Sequence, residues 1–305
     1  MLPPHPATPL LGQLGAWSNV NHLPARDAIA WARRVESLGY DALWVNETAG
    51  WEPFAMLGAL AASTGRIALG VGIAMTYARD ALAAHAGART IAELSGGRFV
   101  MGLGVSHGSS VELRGGTYAS PLATMRAYLA AYHGAQFQAS ATVPEPPLVV
   151  AALGPRMLEL AATEADGAFP YFVPVEEVAR VRGAIDAAAE AARRPHRPLL
   201  VVTAAVRLET DPELARAAAR VYMDRHLGQP NYLRNLARCG FSAGEIAKPG
   251  GDRLVDALVG WGDAAALRRR VDAMLAAGAD HVALIPLAAD GRQADIATLK
   301  GLAPG

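Results

Sequence analysis

Along the chain, short runs of apolar, often β-branched residues alternate with longer alanine-rich stretches whose polar positions recur at helical spacing. Runs that are apolar at nearly every residue read as strands buried on both faces, and their alternation with helices predicts a parallel sheet covered by helices. A first strand is expected from Leu10 to Trp17. A helix follows from Pro24 to Leu38, opened by a proline and stopped at Gly39. "DALWVNE" gives the second strand and "EPFAMLGALAAST" its helix. Ile67 to Ala74 gives the third strand, with a helix from Asp80 to Leu94. "GGRFVMGLGVSHG", Gly96 to Gly108, holds the fourth, followed by a glycine-bearing loop and a helix from Pro121 to Gln136.

"PPLVVAAL" forms the fifth strand and runs directly into the helix "GPRMLELAATEA". "GAFPYF" is a short sixth, with Val175 to Ala192 behind it. "RPLLVVTAAVRL" makes the seventh, with Asp211 to Asp224 as its helix. A helix from Asp263 to Ala277 leads into the eighth, "DHVALIP". Eight strand–helix units with no flexible linker or shift of composition favour one closed (β/α)8 TIM barrel over residues 1–305, rather than two dinucleotide-binding halves. The irregular stretch Leu227 to Gly260 is expected to be an insertion of short helices, or a lid, over the active face.

Composition narrows the partners. Lys plus Arg and Asp plus Glu stand at 28 each, so no net field favours nucleic acid or an anionic membrane, and a small, individually recognised ligand is the expectation. The opening "MLPPHPATPL" lacks the basic and apolar regions of a signal peptide, and no run reaches membrane-helix length; a cytoplasmic protein is expected. Cys239, the only cysteine, reads as a packed residue rather than a nucleophile.

Candidate chemistry gathers at the strand ends, because barrel enzymes place their working groups at the C-terminal ends of strands. The fourth strand finishes in Gly102, Gly104, Ser106 and His107: glycines that would let a flat ligand approach the backbone, then a ring that exchanges protons near neutral pH. On the plainer reading, the glycines only end a strand and His107 caps the next segment. The second strand ends in Asn46, Glu47 and Thr48; Glu47 suits acid–base work, or is simply the partner of a nearby arginine. Gly154 and Pro155 open the fifth helix, whose free N–H groups suit a phosphate, with Arg156 as added charge. A tight turn alone would need the same Gly and Pro. "GLGVSHG" reads G-x-G-x-x-x-G, which departs from the dinucleotide fingerprint, and no H-E-x-x-H, paired-cysteine or G-x-S-x-G motif occurs. No metal is expected.

"ALWVNE", "TGRIALGVGIAMTYARDALAAHAGARTIAELSGGRFVMGLGVSHG", "AALGPRMLELAATEADGAFPY" and "AGADHVALIP", in this order and spanning nearly the whole chain, resemble the luciferase-like monooxygenase superfamily, and within it the deazaflavin (coenzyme F420)-dependent oxidoreductases. "GQPNYLRNLARCGFS" and "DRLVDALVGWGD" resemble one subgroup of that branch. The resemblance implies the barrel with its insertion, and a non-prolyl cis peptide between Gly72 and Ile73 that props the cofactor ring. It places Glu47 and Thr48 along the ring, with Asn46, Ala74, Gly104 and Ser106 around it. It places the cofactor phosphate at Leu153, Gly154, Pro155 and Arg156. His107 fills a proton-donor position that is a glutamate in several relatives.

The expected activity is hydride transfer between F420 and a small organic substrate, read as reduction of an unsaturated acceptor, with His107 as proton donor and Glu47 as second candidate. Trp17 and Trp51 would form an aromatic wall, or only pack. The rival readings are an FMN-dependent monooxygenase of the same superfamily and a non-catalytic barrel that keeps the cofactor pocket. The small-residue helix "ALAAHAGARTIAELSG" suggests a homodimer.

Overall fold

Each apolar run becomes a strand of one parallel sheet in the computed structural model, which describes residues 2–304. The strands are β1 (Leu14–Ser18), β2 (Ala42–Val45), β3 (Ala68–Val71), β4 (Ala74–Met75), β5 (Phe99–Gly104), β6 (Leu148–Val150), β7 (Gly167–Ala168), β8 (Leu199–Leu208), β9 (Val259–Gly262) and β10 (His281–Pro286). α1 (Thr8–Leu11) precedes β1, and between the strands run α2 (Ala25–Ser37), α3 (Pro53–Ser63), α4 (Ala81–Leu94), α5 (Gly108–Glu112), α6 (Pro121–His133), α7 (Pro155–Glu164) and α8 (Val175–Ala191). After β8 come α9 (Pro212–Asp224), α10 (Pro230–Arg238), α11 (Ala243–Ile246), α12 (Asp252–Leu258), α13 (Ala264–Ala276) and α14 (Ile296–Gly301). β1, β2, β3, β5, β6, β7, β8 and β10 close on themselves, with β10 parallel to both β8 and β1. The fold is a TIM barrel.

Alternation along each strand sorts the core into two shells. Leu43, Val45, Leu69, Met101 and Leu103 face the helices, whereas Trp44, Val100, Val149, Val201 and Ala283 fill the barrel itself. Trp44 is the centre of that filling. Its indole N–H donates to Nε2 of the buried His281 at 3.1 Å, and a Cβ on Gly70 would come within 2.3 Å of its ring. Only glycine fits there. The interior cluster continues without a break into Tyr222, Leu227, Tyr232, Leu236, Phe241 and Leu254, so residues 227–260 are packed onto the barrel's C-terminal mouth as a cap.

Several elements depart from the sequence pattern. Residues 10–17 are not one strand: Pro9 starts the short helix α1, Gly12 turns at φ +59°, and the Asp41 carboxylate accepts the N–H of Gln13 and of Leu14 before β1 begins. The sixth strand stops at Ala168 because Pro170 has no N–H to pair and Phe172 turns at φ +61°. The insertion contains the expected short helices but also the strand β9, which pairs with Ala205–Leu208. β8 pairs with β7 only at Leu199 and Leu200, so its far end would otherwise be an open edge. Among the described residues, no helix is long and apolar enough to cross a membrane.

Candidate active site

At the mouth, the sheet is interrupted between β3 and β4. The Gly72–Ile73 peptide there is cis, and the Gly72 carbonyl accepts the indole N–H of Trp17 at 2.9 Å. Ala74 then resumes pairing, opposite Leu103. The expectation that Gly104 leaves room for a ligand is corrected here. A Cβ on Gly104 would lie 2.6 Å from Cδ1 of Ile73, so the space this glycine leaves is filled by the isoleucine.

Glu47, immediately beyond β2, is drawn into a closed network. Arg79 donates to both carboxylate oxygens at 2.9 and 2.6 Å, the Met75 N–H donates at 2.6 Å, and Arg114 stands 3.7 Å away. Arg79 also pairs with Glu52, and Arg114 donates to the Thr48 carbonyl. Thr48 accepts from Asn21 through its hydroxyl. Glu47 therefore ties β2, β4 and the segment after α5 together. Two buried oxygens on the same rim stay unmet: Oδ1 of Asn46 and Oγ1 of Thr76. Buried polar atoms of this kind mark places where a ligand completes the bonding.

His107 follows Ser106, whose φ of +62° is unusual for a residue with a side chain and turns the backbone between β5 and α5. The Ser106 carbonyl accepts from Tyr118. Nδ1 of His107 lies 3.1 Å from Oδ1 of Asn231 on α10. Burial is the main cause that holds His107 below its ordinary histidine pKa; the Asn231 bond opposes this and Arg225 reinforces it.

The mouth itself is closed by rings. Tyr232 packs 5.3 Å from both His107 and Phe172, Phe172 stacks on His226 at 4.8 Å, and Tyr171 lies 5.8 Å from Trp17. Tyr222 donates its hydroxyl to that of Tyr171 at 2.9 Å. Burial pushes the Tyr171, Tyr222 and Tyr232 phenols up and His226 down to about 4. Trp51 lies on the exposed side, its indole bonded to the Leu23 carbonyl. Two hollows of about 80 and 420 Å³ lie around Asp166 and Arg194, away from the strand-end residues of the mouth.

A second focus lies at the start of α7. Gly154 is the N-cap, Pro155 brings no N–H, and the N–H groups of Met157 and Leu158 donate to the Gly154 carbonyl, which leaves the Arg156 N–H of the first turn for an external acceptor. Leu153 precedes this turn, half-buried against the interior cluster. Both terminal nitrogens of Arg238, at the far end of α10, lie 3.9 Å from where a Gly154 Cβ would be. Asn235 holds that guanidinium through a bond of 2.8 Å. The cradle is thus open, cationic and shaped for a phosphate or carboxylate.

Sequence reasoning missed Arg79, Asn231, Tyr232 and Arg238. Arg79 lies within "TYARD", and its pairing with Glu47 is the structural alternative that the sequence left open. For Asn231 and Arg238 the only signal was the density of polar and aromatic residues in "GQPNYLRNLARCG".

The barrel, its broken third strand and its capped mouth define a class of protein. Residues 7–281 match the model of the luciferase-like monooxygenase family, and the chain belongs to that family. It is similar to the 5,10-methylenetetrahydromethanopterin reductase of Methanolobus tindarius, 26% identical over 215 residues that make up 63% of this chain and 64% of that protein. Among solved structures it resembles an F420-dependent secondary alcohol dehydrogenase in complex with an F420–acetone adduct. That likeness has TM-score 0.76 and 14% identity, and covers 95% of this chain and 96% of that one. It also resembles the oxygenating constituent of 3,6-diketocamphane monooxygenase of Pseudomonas putida in complex with FMN, with TM-score 0.68 and 15% identity, over 94% of each chain.

Proposed function

We propose that this chain is an oxidoreductase that binds coenzyme F420 across the C-terminal mouth and moves a hydride between it and a small organic substrate. One observation carries the reading: a single helix, α10, joins the anion cradle at Gly154, through Arg238, to the proton-exchanging ring of His107, through Asn231. The unmet oxygens of Asn46 and Thr76 on the same rim fit a polar ring edge. When bound, F420 supplies the carbon that gives or takes the hydride.

The protein's own residues do the rest. Leu153, Gly154, Pro155, Arg156 and Arg238 hold the anionic part of the cofactor. Trp17, Thr48, Gly72, Ile73, Ala74 and Ser106 border its ring, and His107 handles the proton. Glu47 acts as a positioning residue, because its carboxylate is committed to Arg79 and the Met75 N–H. Tyr232 of the cap, together with Tyr171, Phe172 and His226 beside it, shields the bound ring from water. Residues 1–305 work as one barrel with 227–260 as its cap.

FMN is the second reading, since the same cradle accepts its phosphate and a structural neighbour carries it. Titration of purified protein with each cofactor, followed by fluorescence, separates the two: saturable F420 binding is expected. Tight FMN binding with none of F420 would replace this reading with the monooxygenase one.

We further propose that the chain works in the cytoplasm as a homodimer. Ala55, Ala59, Ala62, Leu82, Ala83 and Leu94 are apolar residues on the outward side of α3 and α4, and Leu82 and Leu94 are 57% and 56% exposed. A second copy of the same face would bury them.

A further inference from the structure

A neutral imidazole carries its one proton on one nitrogen, and the group facing that nitrogen decides which. The atom of Asn231 that faces Nδ1 of His107 is the carbonyl oxygen Oδ1, 3.1 Å away, and an amide oxygen only accepts. With the amide oxygen facing it, Nδ1 carries the proton. Nε2 keeps its lone pair, and no bond from the described residues claims it. Resting on the reading that F420 binds at this mouth, we propose that Asn231 is a positioning residue that fixes His107 as the Nδ1–H tautomer, so that Nε2 accepts the hydroxyl proton of a substrate alcohol.

The step balances with oxidised deazaflavin as the named acceptor. The carbinol C–H bond breaks with its electron pair leaving as hydride to the deazaflavin. The O–H proton passes to Nε2, and the C=O bond forms. This reverses the direction expected from sequence, where His107 donates a proton to a reduced product. A neutral Nδ1–H ring has no proton on Nε2 to give.

The surroundings agree. His107 faces the Tyr232 ring, and Arg225 acts on it electrostatically from the end of α9, where a cation disfavours a second positive charge; His226, in the turn beyond, is itself held down to about 4 by burial. Burial acts in the same sense. No carboxylate is among the groups acting on the ring. Asn231 and Tyr232 are adjacent on α10, so the helix that closes the mouth also sets the tautomer.

Long-range ¹⁵N–¹H spectra of histidine-labelled apoprotein test the positioning role without cofactor, with the His107 signals assigned by their loss in His107→Gln. The Nδ1–H pattern is expected in the wild type and in Asn231→Asp, which keeps an acceptor oxygen. In Asn231→Leu the preference should disappear. An Nε2–H pattern in the wild type, or no change in Asn231→Leu, overturns the proposal. With oxidised F420 and propan-2-ol or cyclohexanol, turnover should rise with pH through one ionisation. Asn231→Asp should move that ionisation to higher pH, and Asn231→Leu should lower kcat about tenfold with the F420 affinity unchanged. Turnover only with ketones or alkenes, falling as pH rises, overturns the proton-acceptor role. F420 fluorescence quenching runs alongside: absent quenching defeats the cofactor reading, while the tautomer spectra still decide the role of Asn231.

Discussion

Arg79 bridges Glu47 and Glu52, and the Glu47 side chain is only 3% exposed, so removing the arginine strands a carboxylate away from water. Loss of one partner of a buried pair typically costs about 3–5 kcal/mol. Arg79→Met should lower stability by about that amount in urea unfolding at neutral pH, and Glu47→Gln by clearly less, because the amide is neutral. His281 provides the other residue-level test. Burial, opposed by its bond to the Gly12 carbonyl, lowers its pKa from 6.5 to about 4. Between those values the unfolded chain binds the extra proton and the folded chain does not, so stability is full above pH 6.5 and declines as pH falls toward 4. The loss amounts to about 3 kcal/mol for this group, and His226 acts in the same direction. Unfolding curves at pH 7.5 and 4.5 measure it; a flat profile would show that His281 titrates freely. Cys239, with burial and the neighbouring Glu177 pushing its thiol up to about 12, has the inert character expected of a packed residue.

At the scale of elements, α10 approaches the start of α7 through Arg238 at the Gly154 turn. A guanidinium aimed at a helix N-terminus is worth most when an anion lies between them. Arg238→Ala is expected to weaken F420 binding roughly tenfold, equivalent to about 1.4 kcal/mol, while leaving the melting temperature within a degree or two. Arg156→Ala should do less, because Arg156 is exposed on the helix surface. Equal affinities for the two variants in fluorescence titrations would remove Arg238 from the cradle. The alternation of strand and helix was readable because each run repeats a local period, yet α1, β9 and the shortened β7 were not. Those depend on Asp41 seizing two backbone N–H groups, on a β8 longer than its neighbour, and on a positive φ at Phe172.

For the whole molecule, the apolar strip on α3 and α4 is the surface to test. α3 carries no charged side chain, and a Cβ on its Gly58 would sit 3.8 Å from Leu94 of α4, so the two helices present one continuous apolar strip. Sedimentation velocity should give the mass of a dimer for the wild type and of a monomer for Leu82→Glu combined with Ala59→Arg. A monomeric wild type would leave that strip without the partner assigned to it.

By itself, the sequence determined the eightfold alternation of strands and helices, the position of the cap and the set of strand ends that form the rim. Those properties follow from the spacing of apolar residues and from glycines and prolines acting on their immediate neighbours. Only the tertiary structure decided what the rim residues do. Asn231 reaches His107 across 124 positions, Arg79 reaches Glu47 across 32, and Ile73 takes the space beside Gly104. Such pairings depend on the direction in which each side chain leaves a folded backbone, and no local period encodes that direction.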